Sequence, residues 1–379
     1  MAQSWLVYRL TQSSFMLGLV AFAGQFPVLL FGLFAGVVAD RFNRYQVILI
    51  TLILAMLQAS LLSVLTLGGW ITAWQVFFLA LFAGLVQTFE MPARQSFLME
   101  IVGRDDLPSA IALNSALVNG ARILGPALAG IVVAKAGEGA CFAVNAVSYL
   151  AIIGGFLAMR LPPRTSPAFP PASVSAFIRE GVVYAIRTPS IRLLLVLIGL
   201  VSLFSAPYTV LMPVFAEDIL ASGSSGMGLL MGAAGAGAVV GVVFLARHRS
   251  TETLGRAIAF ALVRLGMGLM LFAFSRHFWL SFFVLPLVGS GFMVPMAAIN
   301  TLLQIIAPDH LRGRVMSLFF IMFMGAAPVG SLLSGTLAPY IGAPLTVGLT
   351  GAGCLGAAAW AALNLRLLED RQGMEHESA

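Results

Sequence analysis

Charge is scarce in this chain. Asp, Glu, Lys and Arg together fill 9% of its 379 positions, where a soluble domain carries about a quarter. Too little polar material is present to coat an ordinary water-facing surface. Histidines number four and cysteines two. His248, His277, His310 and His376 fall in loops or the tail, and Cys141 and Cys354 lie far apart in apolar runs. None of them matches a metal-ligand spacing, and a disulfide between the two cysteines does not follow from their positions. No Walker loop, nucleophile elbow or metal-ligand cluster occurs. Enzyme chemistry, a metal and a cofactor are therefore not expected. The ten-residue alternating segments of a β-barrel are missing too. A cleavable signal peptide is not expected, since "MAQSWLVYRL" shows no basic leader and no small-residue cleavage pattern. Lysine occurs only as Lys135. The basic excess behind a pI near 9.9 is arginine placed between apolar runs, which argues for topology and against nucleic acid.

Hydrophobic residues make up 60% of the sequence and mean hydropathy is +0.98. Apolar runs of about 20 residues, the length of a bilayer-spanning helix, recur throughout. Eleven full-length segments are expected at 15–38, 46–67, 74–92, 109–134, 140–159, 192–215, 226–246, 257–274, 278–303, 314–336 and 343–366. The fold class is an all-α polytopic membrane protein. Its 39 glycines suit close helix packing in lipid, where small residues let backbones approach. Alternating the loops places sixteen arginines on the side of 39–45 and only Arg9, Lys135 and Arg276 on the other, with Arg122 and Arg264 inside helices. The positive-inside rule makes the 39–45 loop and the C-terminal tail cytoplasmic. The 15–38 helix then runs inward, and only "MAQSWLVYRL" precedes it. Ten helical residues cover about 15 Å of a core about 30 Å thick. We therefore expect the first helix to be truncated here, by roughly two dozen residues.

The longest loop, 160–191, opens with "RLPPRTSPAFPPASVS" and closes with "AFIREGVVYAIRTPS". Its second half reads either as a plain tether or as an amphipathic helix at the membrane surface. In the latter, Phe177, Ile178, Val182, Tyr184, Ala185 and Ile186 form the apolar side, and Arg179, Glu180 and Arg187 the wet side. The expected organisation is an N-terminal bundle over 1–159, a cytoplasmic linker over 160–191, a C-terminal six-helix bundle over 192–366 and a cytoplasmic tail over 367–379. The halves echo each other. "EMPARQSFLMEIVGRDDL" parallels "VPMAAINTLLQIIAPDHL", with Pro92 and Pro295 offset by 203 residues, as are Asp106 and Asp309. "GPALAG" parallels "VGSLLSG". A duplicated unit is the pattern of a transporter made of two like bundles.

"GVVADRFNR", Gly36 to Arg44, follows one apolar run and precedes the next. It resembles the signature loop of the major facilitator superfamily: a Gly, a small residue, Asp, a basic residue, a spacer, Gly, and a basic residue. Asn43 stands where that pattern has Gly. Asn tolerates a positive φ best after Gly, so the same tight turn is open to it. Tyr45 replaces a frequent second basic residue. "NSALVNGARILGPALAG" resembles the Gly-Pro motif on the fifth helix of proton-coupled exporters, with Ala121 and Ala129 at two of its glycine positions. "EMPARQ", "DDLPSAIALNSA", "GPALAG" and "RGRVMSLF" together resemble the branch holding the enterobactin exporter and macrolide efflux proteins. The resemblance implies the major facilitator fold of two six-helix bundles, export of a small molecule, and a cytoplasmic gate formed by Gly36, Asp40, Arg41 and Arg44. It implies that Asp40 caps a helix of the second bundle near Gly313 to Val315, and that Arg44 pairs with Glu90 or Glu100. The mid-helix arginine of many drug/proton antiporters is absent from "FFLALFAGLVQTF". The coupling candidates are then Glu90, Arg94 and Glu100, or Arg122.

Several residues stand out chemically. Glu90 and Arg94 share a helix face at i, i+4; they form either an interfacial salt bridge or a protonatable gate. Arg122 sits deep in an apolar run, where arginine costs about 2.5–3.5 kcal/mol and usually faces a cavity or partner. Asn114, Asn119, Asn145 and Gln25 are the other cavity candidates, with Gln58, Gln87, Asn300 and Gln304 as further polar wall residues or interhelical glue. Arg264 reads as nearer a helix end and able to snorkel. Gly125, Pro126 and Gly130 read as a helix bend or a close contact. The expected function is secondary export of a small amphipathic molecule from a bacterial cytoplasm, across the inner membrane, by proton antiport and alternating access. The expected partners are substrate, protons and the lipid bilayer, with the chain acting as a monomer. Lysolipid translocation, or a membrane interaction protein that has lost transport, are the alternatives.

Overall fold

The computed structural model describes residues 1–102, 106–159, 174–246 and 251–364. Every regular element among them is a helix: α1 (Ala2–Thr11), α2 (Ser14–Arg41), α3 (Arg44–Leu67), α4 (Ala73–Val102), α5 (Leu107–Ala158), α6 (Val174–Arg187), α7 (Pro189–Val210), α8 (Met212–Val214), a π turn (Phe215–Ile219), α9 (Gly223–Leu245), α10 (Thr251–Phe274), α11 (Phe278–Ile306), α12 (Asp309–Ile341) and α13 (Ala343–Leu363). A bilayer leaves no alternative to internally bonded backbone, so apolar runs of this length fold as helices.

Among the described residues, ten helical segments are long and apolar enough to cross a membrane. One of them, Leu113–Ala158, has 46 residues, which is about 69 Å of helix against a core of about 30 Å. It contains two crossings, because Gly137 at φ 81 and ψ 170 breaks α5. Only glycine takes that conformation without steric cost. Divided at Gly137, the described residues offer eleven lengths of helix that could cross, against the eleven apolar runs of the sequence.

The chain forms two compact units, Met1–Pro167 with Val210–Gly232, and Ala168–Thr209 with Ala233–Ala379. Residues 210–232 lie in the second half of the sequence yet cluster with the first unit. Within unit 1, α2 and α4 approach so closely that a Cβ on Gly84 would collide with the Gly24 carbonyl. Ile48, Leu52, Ala93 and Phe97 form a buried cluster joined by Tyr45, Tyr149 and Phe156. The break in α5 is held from α3, where Ser63 Oγ donates to the Gly139 carbonyl at 2.9 Å.

Unit 2 repeats the small-residue logic. A Cβ on Gly237 would strike the Pro286 backbone, and one on Gly330 the Leu203 carbonyl. Backbones meet there because lipid supplies no hydrophobic drive between helices, and dispersion between close surfaces takes its place. The repeat offset is visible in three dimensions. Pro92 lies inside α4 and Pro295 inside α11; Asp106 is the N-cap of α5 and Asp309 the first residue of α12.

Candidate functional site

The Gly36–Arg44 segment makes a two-residue connection between α2 and α3. Arg41 ends α2 and Arg44 begins α3, with Phe42 and Asn43 between them. A tight turn is present, but not by the route expected of Asn43. Its φ is −68 and ψ 110, and its Oδ1 accepts a hydrogen bond from Tyr45 N at 3.1 Å. Asn43 is an N-cap, satisfying one of the orphan donors of α3, and no left-handed residue is needed. Tyr45, read from sequence as a lost basic residue, is a packing anchor. Its ring stacks on Phe156 at 6.0 Å, Phe156 stacks on Phe97 at 5.6 Å, and its hydroxyl donates to the Phe156 carbonyl at 3.2 Å. The rings tie the start of α3 to α4 and α5. Gly36 faces open space and Arg41 is exposed. The side chains of Asp40 and Glu100 lie outside the described residues.

The stretch expected to receive Asp40, Gly313 to Val315, lies inside α12, past its first turn, and Asp309 is the first residue of that helix. Asp309 pairs with Arg312 at 2.6 Å, and Arg314 pairs with Glu180 of α6. The second half of the linker is thus a helix docked on α12. Gly181 lies against Arg314 Cβ at the distance where a methyl would clash. Ala185 is buried, while Ile186, expected on the apolar side, is exposed. Residues 160–173 lie outside the described residues.

Glu90 and Arg94 form the ion pair their spacing predicts. The Glu90 side chain is 16% exposed and that of Arg94 61%, so the carboxylate is largely covered while the guanidinium is open. Tyr149 of α5 lies within electrostatic range of both.

The first half of α5 carries the polar candidates. Asn114 and Arg122 are exposed, as are Leu113, Leu117 and Leu124, so several faces of this stretch are open. Asn119 donates to the Ser115 carbonyl at 2.8 Å and Gln25 to the Ala21 carbonyl at 3.4 Å. Both donate within their own helices. Asn145 is exposed on the second half of α5. The Gly-Pro motif is a close contact. A Cβ on Gly130 would sit 2.7 Å from the Ser224 carbonyl oxygen and 3.0 Å from Gly228 Cα, whereas Gly125 has open space around it. Ser224, Gly228 and Gly232 recur at spacing four on α9 and meet Ile123 to Gly130. That small-xxx-small stripe in "SSGMGLLMG" is a legible signal that sequence reasoning missed.

Arg264 differs from expectation. It sits near the middle of α10, not toward an end, and its Nε is buried without a hydrogen-bond partner. Four residues not singled out from sequence also meet in unit 1. The Tyr8 hydroxyl donates to Asp218, and Arg9 Nε donates to Glu138 Oε1 at 2.8 Å.

Each unit thus carries polar and charged side chains on membrane-length helices joined by small-residue contacts. The family profile described as "Transmembrane secretion effector", of the major facilitator type, matches residues 1–378. The multidrug efflux pump Tap of Mycolicibacterium fortuitum is 30% identical over 89% of this chain and 84% of its own. The staphyloferrin A transporter of Staphylococcus aureus is 24% identical over 92% of this chain and 87% of its own. Among solved structures, a mutant of the nucleoside transporter NupG superposes with a TM-score of 0.73 at 12% identity, over 97% of this chain and 94% of its own. The protein is a multi-pass membrane transporter acting on small molecules, not an enzyme, and it belongs to the transmembrane secretion effector family of the major facilitator superfamily.

Proposed function

We propose that this transporter exports a small amphipathic molecule, a drug, siderophore or metabolite, from the bacterial cytoplasm in exchange for protons. The observation that carries this reading is the likeness, over 89% of the chain, to a multidrug efflux pump. It is supported by Arg122, Asn114 and Asn119 on a membrane helix whose faces are largely open. A charged side chain held at that depth is expensive unless it meets substrate, water or a partner. In this reading the protein works as a monomer in the inner membrane, with the Arg41–Arg44 loop and the C-terminus cytoplasmic. The carrier alternates between inward and outward access. Gly36, Asp40, Arg41 and Arg44 bias the inner gate, and charged pairs suit that task because a few kcal/mol shift such an equilibrium without locking it. Glu90 with Arg94, or Glu100, carries the proton, and Arg122, Asn114, Asn119, Asn145 and Gln25 line the substrate path.

The test uses everted vesicles holding an acidic interior and a panel of amphipathic dyes and siderophores. A transported compound should discharge the pH gradient, and Asp40→Asn should slow that discharge while membrane insertion stays normal. Transport that persists unchanged in the presence of a protonophore would refute proton coupling. Wild-type rates in Asp40→Asn would refute the gate.

A further inference from the structure

Two successive residues of α1 hold two different parts of unit 1. Arg9 Nε donates to Glu138 Oε1 at 2.8 Å. Glu138 follows Gly137 at the break in α5, and its side chain is only 8% exposed. A carboxylate buried that far would be strongly destabilising if unpaired, so this pair is a permanent anchor of α1 on α5. Tyr8 is itself buried, and its hydroxyl donates to a carboxylate oxygen of Asp218. Asp218 lies in the π turn Phe215–Ile219, where Leu220 N donates to the Phe215 carbonyl at 2.8 Å. Unlike Glu138, Asp218 is exposed. Water can take over from Tyr8 when the bond opens, and a neutral hydroxyl leaves no bare charge behind. A charge-assisted hydrogen bond on a solvent-reachable acid is strong yet reversible.

The segment that Tyr8 holds is also unusual in its connections. Val210–Gly232 clusters with unit 1, but the chain on both sides of it, ending at Thr209 and resuming at Ala233, belongs to unit 2. Part of its seat on α5 is backbone and small-residue packing, with Gly130 against Ser224 and Gly228. Such packing is non-directional and leaves no polar group stranded on separation.

We propose that Tyr8 and Asp218 form a clasp that keeps Val210–Gly232 seated on unit 1 and sets how often it lifts away during transport, with Arg9–Glu138 as the fixed anchor of the clasp. This rests on the alternating-access reading, in which that segment lifts once per cycle. Under the topology argued above, the clasp lies at the outer membrane face.

The experiment uses full-length protein in detergent carrying Cys141→Ser and Ser224→Cys. Ser224 is buried at 7% exposure and meets Gly130, and the native Cys354 at 0% reports global unfolding. A hydrophilic thiol reagent should modify position 224 slowly, at the rate at which the segment lifts. Tyr8→Phe should raise that rate about tenfold, equivalent to about 1.4 kcal/mol, with Cys354 still protected. Asp218→Asn keeps an acceptor without the charge and should raise it about threefold. Equal rates in all three proteins would overturn the clasp and leave alternating access standing. No modification of position 224 in any of them would overturn both. If Tyr8→Phe also exposes Cys354, that variant has unfolded and Asp218→Asn decides: a rise with Cys354 protected supports the clasp, and no rise overturns it.

Discussion

Gly125 and Gly130 belong to one motif in sequence, yet replacing each with alanine should have opposite effects. A Cβ on Gly130 would lie 2.7 Å from the Ser224 carbonyl oxygen, 3.0 Å from Gly228 Cα and 3.3 Å from Gly228 N. All three are backbone atoms, so no side chain can swing aside and α5 must move away from α9. Overpacking of this kind costs about 1–3 kcal/mol. For a domain of roughly this size each kcal/mol lowers the melting temperature by about 2–4 °C, so Gly130→Ala should melt about 2–12 °C lower. Gly125 has open space around it, and alanine there should be neutral or stabilising by up to about 1 kcal/mol through lower chain entropy. Intrinsic-fluorescence melting of the two purified variants, run beside the parent, measures the difference. If Gly125→Ala falls as far as Gly130→Ala, the motif acts through the bend at Pro126, and the contact argument is wrong.

Asn43→Ala should destabilise the protein by about 1 kcal/mol and Asn43→Gly by only a few tenths, in the same melting assay; a Gly variant more stable than the parent would show that the turn wants a left-handed residue after all. Arg264→Met should raise thermal stability by about 1–3 kcal/mol, because it removes a buried nitrogen without a partner. In dye-efflux assays Arg122→Ala should lose far more activity than Arg264→Ala, and equal losses would remove Arg122 from the substrate path. Glu90→Gln should still exchange substrate in proteoliposomes but lose its response to a pH gradient. An unchanged response would leave Glu90 as the ion-pair partner of Arg94 and nothing more.

The sequence alone determined the helices, because a bilayer accepts few backbone solutions. Runs such as 46–67 or 343–366 have to be internally bonded helices once they are apolar enough to enter lipid. The split of arginines around those runs carries an orientation for the same local reason, since each charge responds to the membrane and not to another residue. The i, i+4 pair of Glu90 and Arg94 was readable because both ends lie on one helix. Even the major facilitator resemblance rests on short contiguous stretches.

What tertiary structure decided is which residues meet across the chain. Thirty-nine glycines look alike in sequence, but only a crossing angle and an axial register make Gly130 a contact and leave Gly125 free. Asn43 has two chemistries open to it, a left-handed turn or an N-cap, and the direction in which α3 leaves the loop selects the cap. Arg9 and Glu138 are separated by 129 residues and Tyr8 and Asp218 by 210. No local period or spacing encodes such pairs. They exist because helix packing brings α1 to the break in α5 and to the π turn after α8, and a buried carboxylate takes the donor that the fold delivers.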